Sequence, residues 1–197
     1  TMVHRRDIQL GCGLLAALAF VIVVSVILIA GLSDGGGYLD DECVGIVDIV
    51  GVIYSPDNAV EIIDGYAEDD AVRAVVIRLN TPGGGVSATQ EIVTAIGRFR
   101  ETGRPVVASM GTVAASGGYY VAAACDTIVA TPGSVTGSIG VIAKYPEITG
   151  LLDKLGVGFN VVKSGKFKDT GSFSREMTDD ERAYLEDVVL DIHDQFV

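Results

Sequence analysis

Ser116 stands at a bend rich in small residues, with Gly111-Thr112-Val113-Ala114-Ala115 before it and Gly117-Gly118 after it. A hydroxyl placed where such a bend opens a helix has unobstructed backbone N–H groups beside it. That is what a nucleophile needs when a tetrahedral oxyanion forms. The same position is also an ordinary helix cap, a place serine fills readily. A partner base decides between the two. A Ser–His–Asp triad needs a histidine near the serine, and the chain has two histidines, His4 and His193. His4 precedes a long apolar segment, and His193 lies between Asp191 and Asp194 on a helical pattern, where a solvated role suffices. Lysine is the other choice, because burial lowers its pKa from about 10.4 toward neutrality. Lys163-Ser164-Gly165-Lys166-Phe167-Lys168 holds three of the chain's lysines. Spacing does not choose among the three, and a solvated basic loop reads the same way.

The elements that must hold these residues alternate between strand and helix patterns. Val44–Ile53, Val72–Leu79, Pro105–Met110, Thr127–Ala130, Ser138–Ala143 and Phe159–Val162 read as strands. Asn58 is expected to cap a helix through Glu68, and Ser87 to open another to Arg100 with Ile92, Ala95, Ile96 and Phe99 on one face. An Ala-rich helix follows Ser116 as far as Ala124, and Pro146–Leu155 is expected to be helical. Thr178-Asp179-Asp180-Glu181 is a capping box that opens a last helix. That helix meets no Gly or Pro stop signal before Val197, which predicts an incomplete C-terminal end. Alternation of this kind implies an α/β domain with a largely parallel sheet. Its sites lie beyond the carboxyl ends of the strands, where Thr81-Pro82-Gly83-Gly84-Gly85 and the Ser116 bend both fall. Neither bend matches the phosphate-loop or dinucleotide fingerprint.

Twenty-five glycines cluster at these bends, and the net charge is −12. An acidic chain speaks against a nucleic-acid partner. Cys12, Cys43 and Cys125 fit neither a disulfide framework nor a metal motif. No metal or cofactor is expected. From Ile8 to Leu32 there is no charged residue, and a helix needs roughly 20 apolar residues to cross a bilayer. His4, Arg5 and Arg6 precede the run, and Asp34, Asp40, Asp41 and Glu42 follow it. The basic flank predicts a cytoplasmic N-terminus (1–7), a single retained anchor (8–32), a linker (33–43) and an extracytoplasmic domain (44–197) on the cell membrane. A cleaved signal peptide is the rival reading, weakened because the run exceeds the roughly 7–15 residues of a signal h-region.

Four motifs stand in one order: Thr81-Pro82-Gly83-Gly84-Gly85, Ala115-Ser116-Gly117-Gly118-Tyr119-Tyr120-Val121-Ala122, Thr136-Gly137-Ser138-Ile139-Gly140-Val141 and Gly165-Lys166-Phe167-Lys168-Asp169. Together they resemble the signal peptide peptidase A family, short single-repeat type, over residues 44–197. The resemblance implies a Clp-protease/crotonase-like superhelix with a mostly parallel sheet. By position, Ser116 resembles the nucleophile, Lys168 the general base and Ser138 the serine that orients the lysine amine. Gly84 and Gly117 resemble the oxyanion-hole donors, with Gly83 the alternative to Gly84. Asn80 and Asp169 read as structural, each holding its loop. The resemblance also implies an endopeptidase acting through an acyl-enzyme on signal-peptide remnants and other apolar peptides, with a small apolar residue before the cut. The substrate would add as an extended strand. It implies a homo-oligomer as well, expected to be an octamer, whose active sites take Ser116 and Lys168 from neighbouring subunits. The rivals are a related Ser–Lys membrane protease acting on stomatin-like proteins, an acyl-CoA enzyme of the crotonase type, and a non-catalytic membrane scaffold.

Overall fold

The structure is a computed structural model that describes residues 21–25 and 42–197. Two compact units divide at Asp41/Glu42. In the first, residues 21–25 are helical. The rest of the expected anchor (8–32) and most of the linker lie outside the described residues. Among the described residues no helix is long and apolar enough to cross a membrane.

The second unit runs β1 (Cys43–Val50), α1 (Asp57–Glu68), β2 (Val72–Thr81), α2 (Val86–Glu101), β3 (Val106–Ala115), α3 (Gly117–Ala123), β4 (Thr127–Val129), β5 (Val135–Gly137), α4 (Thr149–Leu155) and α5 (Asp179–Phe196). The sheet is parallel throughout, in the order β1-β2-β3-β4, with β5 pairing the far end of β3. The α/β class with a parallel sheet is as the alternating pattern predicts. Parallel neighbours need a crossover between them, and α1 and α2 supply it. Ile77 and Leu79 of β2 meet Ile92, Ile96 and Phe99 of α2 in one core, all fully buried. Burying each such side chain stabilises by roughly 1.5–3 kcal/mol.

Several boundaries differ from expectation. The third strand continues past Met110 to Ala115, because Val113–Ala115 pair with β5. The strand expected over 138–143 is absent: the pairing is made by Val135–Gly137 just before it. Phe159–Val162 is irregular and pairs with no strand among the described residues, and Val162 is 100% exposed. Helix α4 begins only at Thr149. Asn58 does not cap α1: Pro56 occupies the cap position, and Asn58 is exposed within the first turn. The capping box of α5 forms as read, with Thr178 accepting from the Glu181 amide and the Glu181 carboxylate accepting from the Thr178 amide.

Candidate active site

The two glycine bends meet at the carboxyl end of the sheet because β2 and β3 are neighbours, with Thr81 opposite Ala114. Thr81 is fully buried and its hydroxyl accepts the Gly83 amide at 3.0 Å. This turns the chain so that Gly83 takes φ 94°. A β-carbon at Gly83 would lie 2.6 Å from the Gly117 nitrogen and 2.9 Å from Ser116 Cβ. At Gly84 it would lie 2.1 Å from the Ile53 carbonyl oxygen. Ile53 brackets this turn, donating to Gly83 O and accepting from Gly85 N. Glycine is therefore required for the close approach of the two bends.

Ser116 sits between β3 and α3 at φ 52° and ψ −122°. A non-glycine residue held there is strained, and such strain collects at functional sites. A capping serine takes extended angles and lends its oxygen to the helix. Ser116 does neither, and makes no side-chain cap hydrogen bond. The plain-cap reading is thereby set aside. Its amide donates to Gly137 O at 2.8 Å, and its carbonyl accepts from Tyr120 N. Because Ala115 pairs with Gly137, Ser138 stands beside Ser116, one residue past the end of the neighbouring strand. Ser138 also takes a positive φ, 53°. These are the two non-glycine residues with positive φ among the described residues.

Ser116, Gly117 and Gly84 border one cavity. The Gly84 nitrogen lies 3.4 Å from the position a Gly117 β-carbon would take. Among the described residues neither the Gly84 nor the Gly117 amide has a backbone acceptor, whereas the Gly83 amide is taken by Thr81. The pair of free N–H groups is thus Gly84 and Gly117. Buried Thr89 supports them: its hydroxyl donates to Gly85 O at 2.9 Å, and a β-carbon at Gly117 would come within 2.7 Å of it. Thr89 was not singled out from the sequence. Its signal was there, a polar residue three and seven positions before Ile92 and Ile96 on the buried stripe. Tyr120, Ile192 and Phe196 also border the cavity, and the last two carry no local signal at all.

The lysine run lies elsewhere. Lys163 pairs with Asp169 at 2.5 Å, and Lys166 with Asp180. Lys168 makes neither a hydrogen bond nor an ion pair with its side chain among the described residues, is exposed, and does not border the cavity at Ser116. Of the three lysines, Lys168 is the one left free. Its loop is tied to α5 by Arg175, which reaches Asp169 at 3.0 Å and buried Glu181 at 2.5 Å. The Arg175 hydrogen bond, followed by the Thr178 amide, holds the Glu181 carboxyl down at about 2. Hydrogen bonds from Arg175 and then Lys163 hold Asp169 well below the usual carboxylate range. Asp169 thus anchors its loop, as Asn80 does by accepting the Val113 amide at 3.3 Å. Burial pushes the Cys125 thiol up to about 12, which leaves it protonated and inert.

The sequence pattern of Peptidase family S49 matches residues 98–197, a span that contains Ser116, Gly117, Ser138 and Lys168. The chain belongs to peptidase family S49. Its curated relatives agree. A candidate protease of Synechocystis sp. is 43% identical over 130 residues, which is 66% of this chain and 47% of that protein. A candidate signal peptide peptidase SppA of Enterococcus faecium is 36% identical over 144 residues, 73% of this chain and 42% of that protein. The chain thus spans less than half the length of these S49 relatives. Among solved structures, the 1510-N membrane-bound stomatin-specific protease is 30% identical and aligns over 54% of this chain and 52% of that one, with a TM-score of 0.47.

Proposed function

We propose that this chain is the catalytic part of a serine endopeptidase that works through a Ser116–Lys168 dyad and an acyl-enzyme. The observation that carries the reading is Ser116 itself. It is a serine held in strained backbone, without a side-chain capping bond, beside two amides that have no backbone acceptor among the described residues. Neutral Lys168 takes the Ser116 proton as Oγ attacks a peptide carbonyl. The developing oxyanion is stabilised by the N–H groups of Gly84 and Gly117. Lys168 then protonates the leaving amine, and water, deprotonated in turn, releases the acyl group. Ser138, level with Ser116 across the β3–β5 pair, orients the amine.

In this reading Lys168 serves the Ser116 of a neighbouring copy in a closed homo-oligomer, an octamer on the extracytoplasmic side of a cell membrane. The architecture is the Clp-protease/crotonase-like superhelix. Support comes from Lys168, exposed and without a side-chain ion pair among the described residues, and from exposed apolar residues that precede it in the chain, with Val162 100% and Phe159 and Val161 each 53% exposed. A contiguous exposed apolar surface marks an interface, which is the role proposed for these residues. Signal-peptide remnants and other apolar peptides are the proposed substrates.

The experiment mixes two variants. Ser116→Ala and Lys168→Ala should each lose activity by roughly 10⁴-fold or more, while circular dichroism stays unchanged. Subunit exchange between the two should restore about a quarter of wild-type sites, the statistical share for a closed ring with shared sites. Full activity in Lys168→Ala sinks the dyad. Inactive variants that never complement place both groups in one chain. Cleavage of a signal peptide compared with a stomatin-like tail reports on the substrate.

A further inference from the structure

Three of the four residues from Lys166 to Asp169 are fastened to the start of α5. The Lys166 amine pairs with Asp180. The Phe167 ring stacks on Tyr184, with centroids 5.4 Å apart. Asp169 is reached through Arg175, whose Nε donates to its carboxylate at 3.1 Å while Nη1 and Nη2 donate to Glu181 at 2.8 and 2.5 Å. Tyr184 follows Asp180 by four positions and Glu181 by three, so the three share one side of the helix. Lys168 is the fourth residue, and its side chain makes no such tie among the described residues.

The ties are not equal. Lys166 and Asp180 are both exposed, and such a pair adds little. Arg175 is different, because Glu181 is buried, and a buried carboxylate that loses its partner is costly. Every nitrogen of the guanidinium is engaged: Nη1 also donates to the Glu176 carbonyl at 3.0 Å, and Nη2 to the Asp169 carbonyl at 3.3 Å. Arg175 thus grips both the side chain and the main chain of the residue that follows Lys168. A planar fork can hold both at once, whereas an ammonium is a single point of charge. Lys163 adds a second hold on the Asp169 carboxylate at 2.5 Å.

We infer that Arg175 is a positioning residue for the general base. With Glu181 and Tyr184 it forms a cradle that fixes the chain on both sides of Lys168 and leaves the amine free to serve Ser116. Arg175 touches no reacting atom; it acts through Asp169. The inference rests on the Ser116–Lys168 dyad. In a ring with shared sites, Arg175 works in the subunit that gives the lysine, not in the one that gives the serine.

The test measures kcat and KM for peptide cleavage by the full chain. Displacing a catalytic group by about 1 Å costs on the order of 10²-fold in rate. Arg175→Gln should therefore lower kcat about 10²-fold and move KM less than about threefold, with circular dichroism unchanged. Arg175→Lys should recover little, since it keeps the charge without the fork. Asp169→Asn should lower kcat in the same direction, and it serves if Arg175→Gln fails to fold. Arg98→Gln, which breaks an exposed fork to Asp64, should keep the wild-type kcat. Subunit mixing then locates the effect. A chain carrying Ser116→Ala and Arg175→Gln, mixed with Lys168→Ala, should complement slowly, because the working site takes its lysine from the altered chain. A chain carrying Lys168→Ala and Arg175→Gln, mixed with Ser116→Ala, should complement as the parent pair does. Wild-type kcat in whichever of Arg175→Gln and Asp169→Asn folds, or equal slowing in the two mixtures, overturns the inference and leaves the dyad standing. If no pair complements, one chain supplies both groups and the kcat–KM split alone decides. Full activity in Lys168→Ala removes the dyad, and this inference with it.

Discussion

Residues 43–129 and residues 130–197 are held together by different physics. Among the described residues all the buried apolar side chains lie between Val47 and Ala122, whereas beyond Val129 the one buried side chain is Glu181, a charge. The first region is a sheet closed by α1 and α2 around a dry core. The second is a chain of turns and short elements tied down by Lys163, Asp169, Arg175 and Glu181, with Val157, Phe159, Val161 and Val162 left exposed. Ser116 and the Gly84 and Gly117 amides belong to the first kind of structure, Lys168 to the second. A strained serine and two converging glycine bends need a scaffold that does not yield. If, as proposed, Lys168 serves the serine of another copy, it can sit on a segment completed only by assembly.

That contrast is most directly broken by truncating apolar residues in each region. Phe99 is fully buried in the core, so Phe99→Ala should cost about 3–5 kcal/mol. Val162 is 100% exposed, so Val162→Ala should change the stability of an isolated subunit by less than about 0.5 kcal/mol. Chemical denaturation measures both. If Val162→Ala weakens assembly in sedimentation experiments while leaving subunit stability alone, the division is sharpened. Equal losses of subunit stability from the two substitutions would erase it.

Glycine substitutions make the same division on a smaller scale. Gly84→Ala drives a methyl to within 2.1 Å of the Ile53 carbonyl oxygen. Overpacking of this kind costs about 1–3 kcal/mol, and displacing the amide should lower kcat by roughly 10²-fold or more. Gly165→Ala meets nothing within 4 Å and should lie within about 0.5 kcal/mol of wild type. Thermal melts and peptide cleavage on the two variants read both effects.

The two regions were also unequally legible in the sequence. In the first, strands Val72–Thr81 and Val106–Ala115 and helix Val86–Glu101 announced themselves, because burial on a parallel sheet leaves near-continuous apolar runs and a helical stripe. The bends at Gly83–Gly84 and Ser116–Gly117 followed from where those strands end. In the second, Ser138–Ala143 and Phe159–Val162 carry strand composition but form no strand. β-propensity registers fitness for a pleated surface, and among the described residues these segments pair with no strand. The choice of Lys168 among three lysines needed the ion pairs of Lys163 and Lys166, and the resemblance had to supply it beforehand. Ile192 and Phe196 were invisible as site residues, because only the packing of α5 brings them to Ser116.

The smallest effect concerns the ties of the second region. Glu181 sits at about 2 in the folded chain, against an ordinary value of 4.5, first because of Arg175 and then because of the Thr178 amide. Asp169 is lowered in the same direction by Arg175 and Lys163. A carboxylate whose pKa is depressed by folding contributes its full stabilisation above its unfolded pKa and loses it as the pH falls toward the folded one. Between about pH 4.5 and 2 the capping box of α5 and the Lys168 loop should therefore loosen, while the apolar core stays closed, because its lowered carboxylate, Asp126, is exposed at the edge against the Val106 amide and Arg100. Hydrogen exchange corrected for intrinsic rates should show protection of Gly165–Thr170 and of the first turn of α5 falling at about pH 3 relative to pH 6, with β2 and α2 unchanged. Arg175→Gln should produce the same pattern already at neutral pH. Uniform loss of protection across both regions, or none in either, would mean that the ion pairs and the core do not act as separate supports.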